Sequence, residues 1–257
     1  MKKFSKATAT VLLSAVLSAG VFAEAASFEK QKTYSNDFSD VPATEWYASE
    51  VKNAYELGLM NGNGDGTFNP DGNVTIAEAV TLAARTCAIY NNKVIFAAKD
   101  GEEWYKPYFD FAMENGIIEE GQFQNPDEPA KRHEVASLFR NALPESFFTK
   151  INDVERIIDV SENASYAKDI LTLYNAGVVM GSDAYGSFRP ESNITRAEAA
   201  AIIGRVALPE TRLNKALTSY SHYDAYLLDQ TSTYENSKLP MASSWLLDGR
   251  GSAPFAR

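Results

Sequence analysis

The chain has one cysteine and two histidines, and its 24 Lys and Arg are outnumbered by 34 Asp and Glu. Each scarcity removes a class of explanation. One cysteine cannot close an internal disulfide, so stability must come from packing. Cys87, on the apolar stretch TLAARTCAIY, is expected as a small core residue. His133 and His222 stand in unrelated contexts, and the sequence holds no HExxH and no GxSxG. Neither a nucleophile with its base nor a zinc set is legible, so no catalysis, cofactor or metal is expected. A net charge of −10 at pH 7 disfavours nucleic acid and bulk anionic polymers alike. An anionic ligand would have to be met locally, by a few placed cations.

Long apolar runs are also missing. The one candidate, TATVLLSAVLSAGVFA, is shorter than the roughly 20 residues that span a bilayer. It follows Lys2, Lys3 and Lys6 and leads into Ala23-Glu24-Ala25. That layout is a secretory signal peptide cleaved after Ala25. An exported mature chain without a membrane span is expected. Cys87 lies too far from that site to carry an N-terminal lipid, and no sorting-type tail is seen, so no covalent attachment is expected.

What the sequence does contain is a repeat. WYASEV, WYKPYF and SYAKDI match, with Val51, Phe109 and Ile170 at the same offset from Trp46, Trp104 and Ser165. Gly58, Gly116 and Gly177 follow at a second shared offset. An aromatic then precedes a proline (Phe68 and Pro70, Phe123 and Pro126, Phe188 and Pro190), and a glutamate follows each proline at one spacing: Glu78, Glu134 and Glu198. Each unit reads as helix, loop, helix. The first helix carries Trp46, Val51, Ala54 and Leu57 at near-helical spacing and ends at Gly58. The second opens on a capping box, Thr75 to Glu78 or Thr195 to Glu198, and continues as one apolar stripe. Lys131 stands where the second repeat should have its cap hydroxyl, so that helix should start less firmly.

NGNGDGTFNPDG, residues 61–72, has the alternating Asn and Asp oxygens of a calcium loop. Its twelfth position is Gly72, where an EF-hand needs a bidentate acid. The equivalent loops keep the aromatic and the proline but not the oxygens. The stretch is therefore expected to be a tight turn that delivers Phe68 into the core.

FSDV, a tryptophan-led helix, GLMNGNGDGTFNP and an ITRAE-like helix start, recurring three times in order, resemble the S-layer homology domains. The resemblance covers residues 36–207, with repeats placed at 36–92, 97–144 and 150–207 and a tail at 208–257. It implies an all-α fold in which three helix–loop–helix repeats form a pseudo-three-fold bundle. It also implies noncovalent anchoring to the bacterial cell wall through a secondary cell-wall polysaccharide, often pyruvylated, bound in grooves between neighbouring repeats. An S-layer or envelope lattice component working through protein–protein contacts is the alternative. A polysaccharide-acting enzyme is the weakest reading, because a carboxylate pair such as Asp153 and Asp159 can always be proposed and nothing fixes its geometry.

The resemblance further implies that the arginine of the TRAE motif meets the sugar or its carboxylate. That motif is intact as Thr195-Arg196-Ala197-Glu198, persists as Lys131-Arg132-His133-Glu134, and has lost its arginine to Ile76 in the first repeat. Trp46, Trp104, Gly62, Gly181, Asp40 and Glu198 complete the candidate ligand-binding set with Arg196, Arg132 and Lys131. FSDV is intact at Phe38–Val41 and is read again at Ile151-Asn152-Asp153-Val154, followed by RIIDVSEN as an insertion. It is faint around Lys99-Asp100. Ser165 replaces the tryptophan of the third repeat, so at least one groove should be deficient.

Elementary electrostatics also points to the arginines. A cation at the first position of a helix faces the unfavourable end of the dipole, so Arg196 and Arg132 are expected to serve a ligand and to add little stability. The plainer alternative is an exposed arginine paired with a neighbouring glutamate. Trp46 and Trp104 are expected mainly as core anchors rather than stacking platforms, although a half-exposed indole can do both, and His133 is expected at the surface. Beyond Pro209, ETRLNKALTSYSHYDAYLLD could form a helix through Leu213, Leu217 and Tyr220, and the rest is polar.

Overall fold

The computed structural model describes residues 28–183 and 186–214. The expected signal peptide and the tail beyond residue 214, with its expected helix, lie outside the described residues. Among the described residues six α-helices are present: α1 (Ala48–Glu56), α2 (Ile76–Tyr90), α3 (Lys106–Glu114), α4 (Arg132–Ala142), α5 (Ala167–Asn175) and α6 (Arg196–Ala207), with short 3-10 turns at Glu145–Phe147 and Pro209–Thr211. Among the described residues extended pairing is limited to three isolated bridges. The fold is all-α.

Local chemistry sets the helix boundaries. Gly58, Gly116 and Gly177 follow the first helix of each repeat with φ of +70°, +68° and +72°, the left-handed C′ conformation that costs glycine little. α2 and α6 start on complete capping boxes: Thr75 Oγ1 accepts from Glu78 N at 3.2 Å while Glu78 Oε2 accepts from Thr75 N at 2.9 Å. Thr195 and Glu198 repeat the arrangement. At α4 only the carboxylate half survives, Lys131 N donating to Glu134 at 2.7 Å, because an ammonium has no lone pair to offer the Glu134 amide. The weaker start expected there is what the structure shows.

Packing pairs the helices across repeats. α3 packs on α2, α5 on α4, and α1 on α6, while α4 also touches α2 and α6. The first helix of each repeat therefore lies against the second helix of the repeat before it, and the last repeat closes on the first. A ring of main-chain hydrogen bonds at the centre has the same cyclic order. Val74 N donates to Ile194 O, Ala130 N to Val74 O, and Ile194 N to Ala130 O, at 3.0, 2.8 and 3.1 Å. The three bridges flank this ring. The core is continuous through all three repeats, with Phe68, Phe139 and Phe188 among its largest fully buried side chains. Cys87 is buried in it as expected.

The 61–72 stretch is a turn. Asp65 Oδ1 accepts from Thr67 N at 3.0 Å and from its hydroxyl at 2.6 Å, and Asn63 Nδ2 donates to the same hydroxyl. The calcium-like oxygens close the turn on itself, and Phe68 is delivered into the core with no exposure.

One motif assignment is corrected. Asp40 accepts from Phe68 N at 2.8 Å and Asn69 N at 2.7 Å. In the third repeat the same pair of bonds, from Phe188 N and Arg189 N, goes to Asp159 at 2.7 and 2.6 Å. The third copy of the motif is thus Ile157-Ile158-Asp159-Val160, inside what reads as an insertion, and not Ile151–Val154. Residues 151–154 form a strap instead: Ile151 N and Asn152 N both donate to Asn175 O, as Gln31 N and Lys32 N both donate to Glu56 O in the first repeat. In the second repeat Phe123 is only half-buried, and its loop is shorter.

Candidate functional site

Cyclic packing creates equivalent clefts where repeats meet. Groove I lies between the first and second repeats, a cavity of about 560 Å³ whose lining includes Asn61, Glu78, Thr81, Arg85, Trp104 and Arg196. Groove III lies between the third and first, about 220 Å³, with Trp46, Arg132, Met180, Glu198, Ala201 and Arg205 in its lining. Each groove is a composite of three repeats. The loop and second helix of one repeat form a wall, the next repeat supplies the indole, and the preceding repeat supplies the TRAE-type arginine. Among the candidate residues, Arg196, Trp104 and Gly62 meet at groove I, while Arg132, Trp46, Glu198 and Gly181 meet at groove III.

The tryptophans overturn one expectation. Trp46 and Trp104 are 60% and 51% exposed, so they are not core anchors. Each meets the tyrosine beside it edge-on, Tyr47 at 5.5 Å and Tyr105 at 5.6 Å, both at 85°. Each therefore presents a large apolar face at a cleft, the geometry that suits stacking against a sugar ring.

The arginines correct another. Arg196 and Arg132 are only 8% and 7% exposed, and both tie neighbouring repeats together. Arg196 Nε donates to Phe68 O at 2.8 Å, NH1 to Glu78 Oε1 at 3.0 Å and NH2 to Asn61 O at 2.8 Å, with the guanidinium 4.8 Å from the Phe68 ring centroid. Arg132 Nε donates to Phe188 O at 2.8 Å and NH1 to Glu198 Oε1 at 2.8 Å, over the Phe188 ring at 5.1 Å. The cation at the helix start is neutralised by the capping-box glutamate of the next repeat, which offsets the dipole penalty. The expectation that these arginines contribute little to stability fails for that reason. They remain at the groove floor with the ion pair partly open, since the Glu78 and Glu198 side chains are about one-third exposed.

Other candidates find structural work. Asp40 is saturated by two loop amides, and it does not line either groove. Gly62 and Gly181 line the grooves, yet their lack of a side chain is first a packing need. A Cβ on Gly62 would come within 2.3 Å of Phe38 and 2.5 Å of Thr67 O, and one on Gly181 within 2.1 Å of Gly186 Cα. Lys131 pairs with Glu191 at 2.7 Å on the exposed rim. His133 stacks on Tyr166 at 4.2 Å and is half-buried rather than fully at the surface. Burial lowers its pKa against the opposing pull of Glu191 and Glu134. The Asp153 and Asp159 carboxylates form no catalytic pair: Asp159 holds two amides and Asp153 is bound to Lys150. Among the described residues no group of three or more His, Cys, Asp and Glu stands together.

Two lining cations were missed by sequence reasoning. Arg205 lies across from Glu50 at 3.7 Å, and burial raises the Glu50 pKa although Arg205 opposes it. Arg85 occupies the equivalent place in groove I and donates to Tyr108 Oη at 3.2 Å. Their shared offset from Glu78 and Glu198 was the available signal. In the second repeat that offset holds Asn141.

The losses fall together. At the junction between the second and third repeats the corresponding positions hold Ser165 in place of the indole, Ile76 in place of the arginine, Glu120 in place of the loop glycine and Asn141 in place of Arg85 or Arg205. Substitutions scattered over three repeats in the sequence thus fall at the positions that correspond to a single junction.

Residues 37–80 and 159–200 match the model of the S-layer homology domain; the second match begins beyond residues 151–154. The chain is 29% identical over 203 residues to an S-layer protein of Bacillus thuringiensis subsp. finitimus, covering 75% of this chain and 23% of the relative. It is 28% identical over 203 residues to the S-layer protein sap of Bacillus anthracis, covering 75% and 23%. It is also 26% identical over 205 residues to an endoglucanase of Bacillus sp. (strain KSM-635), covering 77% and 22%. The chain spans less than a quarter of each of these relatives.

Proposed function

Because the two matched stretches are S-layer homology domains, we propose that this protein holds to the bacterial cell wall noncovalently, by binding a wall polysaccharide in grooves I and III. Such domains and the S-layer relatives support association with the cell surface. The polysaccharide is the finer step, and one observation carries it: an exposed indole and a buried, hydrogen-bonded arginine line the same cleft at two of the three junctions between repeats, and both are replaced at the positions equivalent to them at the third. Stability alone would not leave two tryptophans half in water. Secretion to that surface rests on the signal-peptide reading.

The domains occur here in a chain similar both to S-layer proteins and to part of an endoglucanase, so the shared segment fits a carrier of location rather than of chemistry. Sedimentation with purified cell walls, before and after acid extraction of their secondary polysaccharide, tests this. The chain should co-sediment with intact walls and stay in solution after extraction, and Trp46→Ala with Trp104→Ala should abolish the difference. Equal binding to extracted walls would overturn the polysaccharide reading. Binding only to an assembled surface-protein lattice would replace it with the protein-contact alternative.

A further inference from the structure

The first helix of each repeat ends at an equivalent residue, Glu56, Glu114 or Asn175, two positions before its left-handed glycine. The last carbonyls of a helix have no partner within it and take one from outside. In the first repeat the strap that precedes the helix supplies it. Gln31 N and Lys32 N both donate to Glu56 O, at 2.7 and 3.2 Å. Tyr34 N donates to the Glu56 carboxylate at 2.9 Å, and Lys30 pairs with the same carboxylate at 2.8 Å. The third repeat follows this plan with an amide. Ile151 N and Asn152 N donate to Asn175 O at 2.8 and 2.9 Å, and Val154 N donates to Asn175 Oδ1 at 2.8 Å. Both straps also cover the glycine. A Cβ on Gly58 would lie 3.3 Å from Gln31 Cγ, and one on Gly177 would lie 2.7 Å from Ile151 Cδ1.

The second repeat has the seat without the strap. Among the described residues no backbone amide outside the helix donates to Glu114 O, and the Glu114 carboxylate has no hydrogen bond or ion pair. A Cβ on Gly116 would meet nothing within 4 Å. The segment after α2 reaches this helix end through the Lys93 side chain, which donates to Asn115 Oδ1. Val94 and Phe96, which follow, are 73% and 79% exposed, and Met113 beside Glu114 is exposed as well. An open carbonyl at a helix end can be hydrated and means nothing alone. Here the carbonyl, the carboxylate and the bare glycine are filled together in the first repeat and stand open together in the second, with apolar side chains left in water beside them.

We propose that the end of α3 is a docking site for an extended, basic segment of another protein, bound as the first repeat binds its own strap. Two successive N–H groups of the segment meet Glu114 O, a lysine or arginine just before them meets the Glu114 carboxylate, and a side chain lies over Gly116. Main-chain hydrogen bonds hold the segment, and the flanking contacts select it. Charge decides which segments fit. Glu119 and Glu120 are exposed just beyond Gly116, so the seat favours a cationic partner, as Glu56 takes Lys30. Proline at either donor position is excluded, because it has no N–H. A second copy of this chain is the poorer partner, since its matching segment, Lys30 to Tyr34, is already held by its own Glu56. Met113, Glu114 and Gly116 line neither groove, so this site stands or falls apart from the polysaccharide reading.

The probe is a synthetic peptide, FEKQKTY, copying residues 28–34 and blocked at both ends, added to the whole chain. Amide NMR shifts register weak binding and locate it. Shifts should move at Asn115 and Gly116 and saturate. Glu114→Gln should weaken binding roughly 5- to 15-fold, as for the loss of a charge-assisted hydrogen bond. Gly116→Asn should abolish it with little change in the thermal melt, because Asn tolerates the left-handed backbone and its side chain occupies the place of the peptide's. A peptide with Gln31→Pro and Lys32→Pro should not bind. Trp46→Ala and Trp104→Ala should bind the peptide as the wild type does. Shifts at Gly58 in place of Gly116 would show exchange with the chain's own strap and overturn the assignment. So would equal binding of the proline peptide, indifference to both Glu114→Gln and Gly116→Asn, or no saturable binding at all. Self-association of the wild type that is lost in Glu114→Gln would overturn the choice of another protein and put a second copy in the seat.

Discussion

Two carboxylates six residues apart, Asp153 and Asp159, look interchangeable in the sequence and have opposite roles. Asp159 accepts two backbone amides of the loop that delivers Phe188 to the core, whereas Asp153 is exposed and bound only to its neighbour Lys150. Removing an acceptor from paired loop amides costs more than a neutral hydrogen bond, about 1.5–3 kcal/mol, while an exposed local ion pair contributes little. Asp159→Ala should therefore lower the unfolding free energy by about that amount and Asp153→Ala should leave it unchanged, as chemical denaturation would show. His133 offers a pH test at the same scale. Its folded-state pKa is depressed by burial below the ordinary 6.5, so below that value the unfolded chain binds the extra proton. Stability should fall as pH drops through about 6.5 and on toward the folded pKa. His133→Gln should flatten that part of the stability–pH curve. An unchanged slope would mean that the ring is already solvated.

At the scale of elements, the three second helices form an internal series of caps. α2 and α6 have the full box, and α4 has only its glutamate half. Thr195→Ala removes one side-chain acceptor and should cost about 1 kcal/mol. Lys131→Thr restores the missing one at α4. It should be neutral to stabilising by up to about 1 kcal/mol, because the Lys131–Glu191 pair that it sacrifices is exposed. Denaturant midpoints of the two variants, one lower and one not, check the pair. A marked loss in Lys131→Thr would show that the pair with Glu191 stabilises the junction between repeats.

The whole molecule is a closed ring of repeats, and this changes what a mutation in one of them does. Arg196 belongs to the third repeat, but its acceptors lie in the first. Arg196→Ala should therefore lower the melting temperature and weaken wall binding together, with a stability loss of at least about 1.5–3 kcal/mol. Coupling to Glu78→Gln in a double-mutant cycle checks that the ion pair is the cause. Closure also predicts cooperativity. Deleting residues 28–90 would strip α6 of its partner α1 and break the central main-chain ring. The remaining repeats should lose cooperative unfolding, in contrast to an open array where stability is a sum over neighbours. A sharp melt from that fragment, followed by circular dichroism, would show that the ring is dispensable.

Local rules were legible in the sequence because their causes are local. The C′ glycines, the capping boxes, the turn at residues 61–72 and the apolar stripe bearing Cys87 depend on neighbours a few positions away, and the three-fold recurrence made them readable three times. The all-α fold came with that recurrence, and the candidate grooves came only from the resemblance to the S-layer homology domains. Tertiary structure alone decided what depends on partners from other repeats. It put Arg196 and Arg132 into ion pairs with glutamates 118 and 66 residues away, turned Trp46 and Trp104 outward, and moved the third loop acid to Asp159. It also paired the repeats cyclically, so that Ile76, Glu120, Asn141 and Ser165, scattered along the chain, are the equivalents of groove positions at one junction. Burial and charge pairing are properties of assembled neighbours, and the pairing of each repeat's first helix with the preceding repeat's second is fixed only when the ring closes.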